Sequence, residues 1–151
     1  MITPKSAVFS ADEKAAMKER ARELKDDFEI GVAGGELARY LMESGDAKQA
    51  VELARESQDA ARRSGDHLHE AYAAAVEARA AEQLGHRLVA DRKFKAAITR
   101  LLDRQAAGKL AEVCMLYADA LRARGQNDRA FALMRAAAAR DLSKLSRLIN
   151  R

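Results

Sequence analysis

The chain has 151 residues, of which 48% are hydrophobic but only 5% aromatic, and its net charge is +4. It contains 34 alanines, eight glycines, one proline and one cysteine. This composition argues against a disordered chain, a collagen, a β-sandwich and an intramolecular disulfide framework. The chain has no run of about 18 apolar residues, and no apolar segment follows its first residues. We therefore expect a cytoplasmic protein with neither a membrane-spanning helix nor a secretory signal.

The first predicted element is an N-terminal helix. Ser10 and Glu13 form a capping box, in which each residue can satisfy a backbone amide at the start of a helix. Apolar residues then recur on one helical face, namely Met17, Ala21, Leu24 and Phe28. We predict a helix over about residues 11–28 and expect it to be broken by Gly31, Gly34 and Gly35.

The remaining predicted elements are also helices. Glycines end them at Gly45, Gly85 and Gly125, and further glycines lie between these turns at Gly65 and Gly108. The predicted helices span about residues 35–44, 47–63, 67–84, 87–106, 109–124 and 127–140. A last apolar stripe predicts a short C-terminal helix, and it consists of Leu142, Leu145, Leu148 and Ile149.

A repeat runs through the middle of the chain. Gly45, Gly85 and Gly125 follow one another at intervals of 40 residues. Alanines lie seven residues before and five residues after each of these glycines. A glycine adopts the left-handed turn without steric cost, and small residues at fixed places let helix axes approach closely. The pattern therefore predicts two antiparallel helices in each unit.

This pattern resembles the tetratricopeptide repeat, which has a small residue, a large residue, a glycine and an alanine at fixed places in each unit. The matching residues are Ala38, Leu41, Gly45 and Ala50, then Ala78, Ala81, Gly85 and Ala90, then Ala118, Leu121, Gly125 and Ala130. The match covers about residues 34–140, and its 40-residue period is similar to that of the sensor arms of bacterial transcription regulators. The Trp and Pro that are typical of the family are absent.

The resemblance implies an all-α fold, namely a tetratricopeptide-like right-handed superhelix of antiparallel helix hairpins. We expect one domain over residues 1–151, with an N-terminal capping helix in 1–33, three repeats in 34–140 and a C-terminal capping helix in 141–151. The middle unit also allows a rival register. In that register the helix that begins at His67 continues to about Ala90, and the turn lies at Asp91 and Arg92 rather than at Gly85.

Few residues suggest catalysis or metal binding. His67 and His69 are two residues apart, which points their side chains about 200° apart around a helix, so they cannot readily bind one ion. Cys114 lies between apolar neighbours and is expected to be a buried thiol. The chain has three histidines and no Gly-rich phosphate loop. We therefore expect no enzyme activity, no cofactor and no metal site.

The resemblance implies a module that binds a protein or a peptide and acts as an adaptor, a chaperone or a regulatory arm. In the family, certain positions of the first helix of each unit face a concave groove. Transferred to this chain, they predict partner contacts for Arg39, Met42, Tyr72, Arg79, Glu82, Met115, Asp119 and Arg122. For Met42 and Met115, a role in filling the core is an equally good interpretation.

The charge is divided unevenly along the chain. Residues 1–85 carry 12 basic and 17 acidic residues, a net charge of −5, whereas residues 86–151 carry 15 basic and 6 acidic residues, a net charge of +9. This division can mark an acidic protein partner, or a homodimer in which opposite ends meet. A solvated face of an Arg-rich helical protein is the favoured interpretation, because the chain has no uninterrupted run of five or more like charges. The alternatives are a basic nucleic-acid-associated adaptor and a detached sensor domain of a transcriptional regulator. The interleaved aromatic residues of single-strand binders are missing, and we expect no membrane partner.

Overall fold

The computed structural model describes residues 10–104 and 106–150, without the side chain of Met17. Residues 1–9 and Arg151, at the outer edges of the two predicted capping segments, therefore lie outside the described residues. Within the described ranges the chain forms helices and no strand, which confirms the predicted all-α fold. The helices are α1 (Ala11–Glu43), α2 (Ala47–Arg63), α3 (His67–Gln83), α4 (Arg87–Asp103), α5 (Ala107–Ala123), α6 (Asn127–Ala138) and α7 (Leu142–Ile149). None of these helices is long and apolar enough to cross a membrane.

The helices from α2 to α6 begin at intervals of 20 residues, and a glycine in a left-handed turn precedes four of these five starts. Helices α2 to α6 begin at Ala47, His67, Arg87, Ala107 and Asn127. Four glycines precede these starts with left-handed φ values between +75° and +92°, namely Gly45, Gly65, Gly85 and Gly125. Because α3 ends at Gln83 before the Gly85 turn, the rival register of the middle unit is wrong. Gly108 is not a turn residue either, since it is the second residue of α5.

The predicted break in the first helix is wrong. α1 continues from Ala11 to Glu43, and Gly31, Gly34 and Gly35 lie inside it. A Cβ atom added at Gly31 would lie 3.1 Å from Ala61 of α2, and one added at Gly34 would lie 3.1 Å from Cβ of Ser57 of α2. The Ser57 hydroxyl donates a 2.6 Å hydrogen bond to the carbonyl oxygen of Gly31. The glycines therefore allow α1 and α2 to pack closely.

The helices form three hairpins, α1–α2, α3–α4 and α5–α6, that stack in a row. Each helix from α1 to α6 packs on the next one in the chain, and among the odd-numbered helices α3 also packs on α1 and α5 on α3. In the described part of the chain, α2 does not contact α4, and α4 does not contact α6. The even-numbered helices are therefore separated by grooves, whose floors are α3 and α5. The right-handed superhelical twist stays a prediction.

α3 is the central helix of the stack, and 11 of its 17 residues are buried. Most of them are alanines, which allow helices to approach on several sides. Between α4 and α5 the core contains larger side chains than these alanines, and the rings of Phe94 and Tyr117 stack there with their centroids 4.7 Å apart. α7 packs on α6 and α4, so it covers the groove between these even-numbered helices. Its buried residues are Leu145 and Ile149.

Candidate functional site

Tyr72 links the three odd-numbered helices. Its hydroxyl oxygen accepts a hydrogen bond from Arg39 of α1 at 3.3 Å, and Nζ of Lys109 of α5 lies 4.4 Å from its ring centroid. Arg39 also pairs with Glu43 at 3.0 Å, and Lys109 pairs with Glu112 at 3.1 Å. Burial raises the pKa of Tyr72, although the hydrogen bond from Arg39 opposes that rise. Tyr72 is only 1% exposed, so it is a core residue that supports two cations at the surface.

A polar surface extends from this tyrosine along the odd-numbered helices. Arg79 lies two turns after Tyr72 on the same side of α3 and is partly exposed. Asp119 lies two turns after Glu112 on α5 and pairs with Arg122. We call this surface the odd-helix face; it lies over the buried Tyr72 and consists of Arg39, Arg79, Lys109, Glu112 and Asp119. It carries three cations and two carboxylates.

The other predicted partner-binding residues lie elsewhere. Met42 is buried in the core, and the Glu82 carboxylate points into the protein towards the end of α5. Met115 is exposed, but it lines a groove of about 140 Å³ between α5 and α6. Arg122 reaches the same groove, since its Nη1 lies 3.3 Å from Sδ of Met134. The structure therefore brings Arg39 into contact with Tyr72 and pairs Asp119 with Arg122. Arg79 lies two turns after Tyr72 on the same side of α3, whereas Met42, Glu82 and Met115 lie away from this side.

A buried ionic network lies around Glu82. Arg124, the C-cap residue of α5, donates a hydrogen bond from Nε to Glu82 at 2.9 Å and pairs through Nη1 with Asp91 at 2.8 Å. Tyr117 donates a 3.3 Å hydrogen bond to Asp91. Burial alone would lower the pKa of Arg124, but its hydrogen bonds to Glu82 and Asp91 raise that pKa above its ordinary value. Charged groups of three helices, α3, α4 and α5, are thus joined inside the stack.

A second ionic cluster fills the groove between α2 and α4. Glu77, on its floor, accepts hydrogen bonds from Gln58 at 2.7 Å and from Arg55 at 3.2 Å. It also pairs with Lys93 of α4 at 3.1 Å. The carboxylate is therefore held from both walls of the groove, and it connects the first hairpin to the second.

The same arrangement recurs one step along the groove. Glu70, seven residues before Glu77 on α3, pairs with Arg62 of α2 at 2.9 Å and with Arg100 of α4 at 3.5 Å. Each wall thus contributes two cations spaced by seven residues, which is about two turns of a helix. We call this cluster the ionic ladder, and it consists of Arg55, Arg62, Glu70, Glu77, Lys93 and Arg100. Sequence reasoning missed it, although the seven-residue spacing on all three helices was a usable signal.

The two histidines near the start of α3 have different partners. Nδ1 of His69 lies 2.6 Å from a carboxylate oxygen of Asp66, and its ring meets Phe28 edge-on at a centroid distance of 6.2 Å. Nδ1 of His67 lies 3.9 Å from Glu70. Among the described residues, no group of three or more His, Cys, Asp or Glu side chains is placed to hold a metal ion.

Cys114 is expected to be unreactive in the folded protein. Its side chain is buried, and burial raises the pKa of the thiol to about 12. The thiolate is the reactive form of a cysteine. At pH 8 the thiolate fraction of Cys114 is about a thousandfold smaller than that of an ordinary cysteine. A thiol-reactive dye should label the protein at least about a hundredfold faster in denaturant than in buffer. Fast labelling of the folded protein would contradict this.

The raised pKa also predicts how stability changes with pH. Between the ordinary value of 9.0 and the folded value of about 12, the folded chain keeps a proton on Cys114 that the unfolded chain has lost. The free energy of unfolding should therefore fall as the pH rises through this range. The variant Cys114→Ala should show a smaller fall in denaturant titrations at pH 9 to 11.

Comparison of the chain with models of known protein families, with curated proteins and with solved structures finds no match. The resemblance to the tetratricopeptide repeat therefore stays a prediction from the residues. Any function assigned to this chain rests on the arrangement of its own helices and surfaces.

Proposed function

We propose that this protein is a non-catalytic helical-repeat module that binds another protein or a peptide through the odd-helix face. The observation that supports this function is the packing of α1, α3 and α5 on one another, which joins polar side chains of three hairpins into one surface. Stacked helical repeats characteristically offer such extended surfaces to their partners. The module would serve as an adaptor, a chaperone or a regulatory arm.

The charges of the odd-helix face favour a partner with an acidic segment. Arg39 and Lys109 are each paired with a glutamate of their own helix. Arg79, two turns after Tyr72 on α3, makes no ion pair in the described part of the chain. Arg79 is partly exposed, and its guanidinium group can form a bidentate hydrogen-bonded pair with a carboxylate. We therefore expect Arg79 to be the main electrostatic contact of the partner.

The test is the variant Arg79→Glu, which reverses the charge at the centre of the odd-helix face. A partner captured from native lysate by the unaltered protein should bind this variant at least about tenfold more weakly in calorimetry. The matched control is Arg92→Glu, because Arg92 is exposed on α4, outside this face. Equal binding by both variants would contradict the proposal. Salt-sensitive binding of RNA by both would instead indicate the nucleic-acid-associated alternative.

A further inference from the structure

The 40-residue repeat allows positions in one hairpin to be compared with their equivalents in the next. Tyr72 and Lys109 show which side of α3 and of α5 faces the preceding hairpin, because Tyr72 meets Arg39 of α1 and Lys109 meets Tyr72. On that side, α3 buries Ala73, Val76 and Ala80, and α5 buries Val113, Leu116 and Ala120. The equivalent residues of α1 are Ala33, Glu36 and Tyr40, and all three are exposed.

Among the described residues, α1 packs on α2 and α3, and no helix covers its outer side. Tyr40 is 65% exposed although its equivalents are fully buried alanines, and the neighbouring Leu37 is also exposed. We call this surface the N-terminal end face, and it consists of Ala33, Glu36, Leu37 and Tyr40. The equivalent residues of α3 and α5 pack on the preceding hairpin, so this face has the position of a hairpin-stacking surface.

At the other end of the stack, α5 and α6 expose the side that would face a following hairpin. Ala111, Met115 and Ala138 are exposed, whereas their equivalents 40 residues earlier are buried, namely Ala71, Ala75 and Ile98. Those earlier positions lie on α3 and α4, and α5 packs on both of these helices. No helix in the part of the chain that the structure describes covers the later ones, because α7 packs on α4 and α6. We call this surface the C-terminal end face, and it consists of Ala111, Met115, Phe131, Met134 and Ala138.

We propose that copies of this protein associate head to tail, with the N-terminal end face of one copy on the C-terminal end face of the next. The two faces are the two halves of the interface that already joins successive hairpins within the chain. A second copy supplies the missing half to each of them. Terminal repeats of such stacks normally have a polar outer face, whereas both end faces here expose large apolar side chains.

Charge favours head-to-tail association over a symmetric dimer in which two identical end faces meet. The N-terminal end face contains Glu36 and belongs to the half of the chain with a net charge of −5. The C-terminal end face is flanked by the exposed Arg122 and Arg135 and belongs to the half with a net charge of +9. Opposite charges attract when the two ends meet, and like charges repel when two N-terminal faces meet. A head-to-tail contact leaves one face free at each end, so the assembly grows with concentration.

The test uses one variant for each face. Tyr40→Arg places a positive charge on the acidic end, and Met115→Glu places a negative charge on the basic end. In analytical ultracentrifugation the unaltered protein should exceed twice the monomer mass of 16.6 kDa as its concentration rises, and each variant alone should stay a monomer. A mixture of the two variants should form a one-to-one dimer, because each variant keeps one intact face that fits the intact face of the other.

Two further variants serve as controls. Leu88→Glu alters a side chain that is 79% exposed on α4, outside both end faces, and Arg79→Glu alters the odd-helix face. Both should associate like the unaltered protein, which separates this association from the proposed partner binding. If circular dichroism shows that Tyr40→Arg or Met115→Glu is unfolded, Leu37→Arg and Phe131→Glu replace them.

Three results would overturn the proposal. The first is an unaltered protein that stays monomeric up to about 1 mM, which excludes any useful affinity. The second is loss of association in Tyr40→Arg but not in Met115→Glu, which would indicate a symmetric dimer through α1. The third is a mixture of the two variants that does not form the one-to-one dimer.

Discussion

The substitution Arg124→Met is expected to reduce the free energy of unfolding by about 3–5 kcal/mol, as measured by urea denaturation. The Arg124 side chain is only 6% exposed, and the Glu82 carboxylate that it binds is only 5% exposed. Methionine retains much of the aliphatic volume but removes the charge. Among the described residues, Glu82 would then keep only Arg87, at 3.6 Å and largely exposed to solvent, as an ion-pair partner. A buried carboxylate without a close partner has lost its hydration without compensation.

The control is the same substitution at an exposed ion pair. Arg20 pairs with Glu23 at 3.4 Å on α1, and its side chain is 64% exposed, so Arg20→Met should cost less than about 1 kcal/mol. The double variant Glu82→Met/Arg124→Met should be more stable than Arg124→Met alone, because it removes the unpaired carboxylate. Equal losses for Arg20→Met and Arg124→Met would show that the buried network does not stabilise the stack.

The ionic contacts also fix how the hairpins fit together. An interface made of alanines buries little area per residue and is nearly uniform along the helix, so it specifies register weakly. In the ionic ladder, Glu70 and Glu77 each meet one cation from α2 and one from α4. A shift of α3 by one residue would rotate both carboxylates by about 100° away from these partners. The ladder therefore defines one register for the first two hairpins.

Features encoded over a few residues could be predicted from the sequence. The hydroxyl of Ser10 accepts a 3.1 Å hydrogen bond from the amide of Glu13, as the capping box predicts. Asp46 caps α2 in the same way, through the amide of Gln49 at 3.3 Å. The left-handed glycines then place four of the turns, and at Gly45 and Gly65 an aspartate cap begins the next helix directly after the glycine. Local signals of this kind were sufficient for the order of the hairpins.

Features that depend on distant residues could not be predicted in this way. Glu82 and Arg124 are 42 positions apart, and nothing in their local sequence marks them as partners. The predicted groove residue Tyr72 is buried because α1 approaches it closely at Gly35, where an added Cβ would lie 3.4 Å from the tyrosine ring.

The glycines of α1 illustrate the same limit. A glycine in a helix has low helix propensity, so three of them within five positions favour the prediction of a break. That propensity is a local quantity of about 1 kcal/mol per residue, and tertiary packing outweighs it. Here the absence of side chains lets α2 pack directly on α1, which the sequence of α1 alone does not reveal.

The substitution Gly31→Leu is therefore expected to destabilise the protein by about 3 kcal/mol, since overpacking costs about 1–3 kcal/mol and a lost hydrogen bond about 1 kcal/mol more. A Cβ atom at Gly31 would lie 3.1 Å from the backbone nitrogen and Cα of Ala61, so the whole of α2 must move to admit a side chain. That movement would also lengthen the 2.6 Å hydrogen bond between Ser57 and the Gly31 carbonyl oxygen. Thermal and urea denaturation measure the loss.

The matched control is Gly108→Leu, which adds the same side chain to a glycine of α5 that has open space around its Cβ position. Leucine has the higher helix propensity, so this variant should be as stable as the unaltered protein or more stable by up to about 1 kcal/mol. Opposite effects of one substitution at two helical glycines would show that the close approach of α2, rather than glycine itself, requires Gly31. If Gly31→Leu were as stable as Gly108→Leu, α1 and α2 would have to lie farther apart, and the continuous helix would lose its physical explanation.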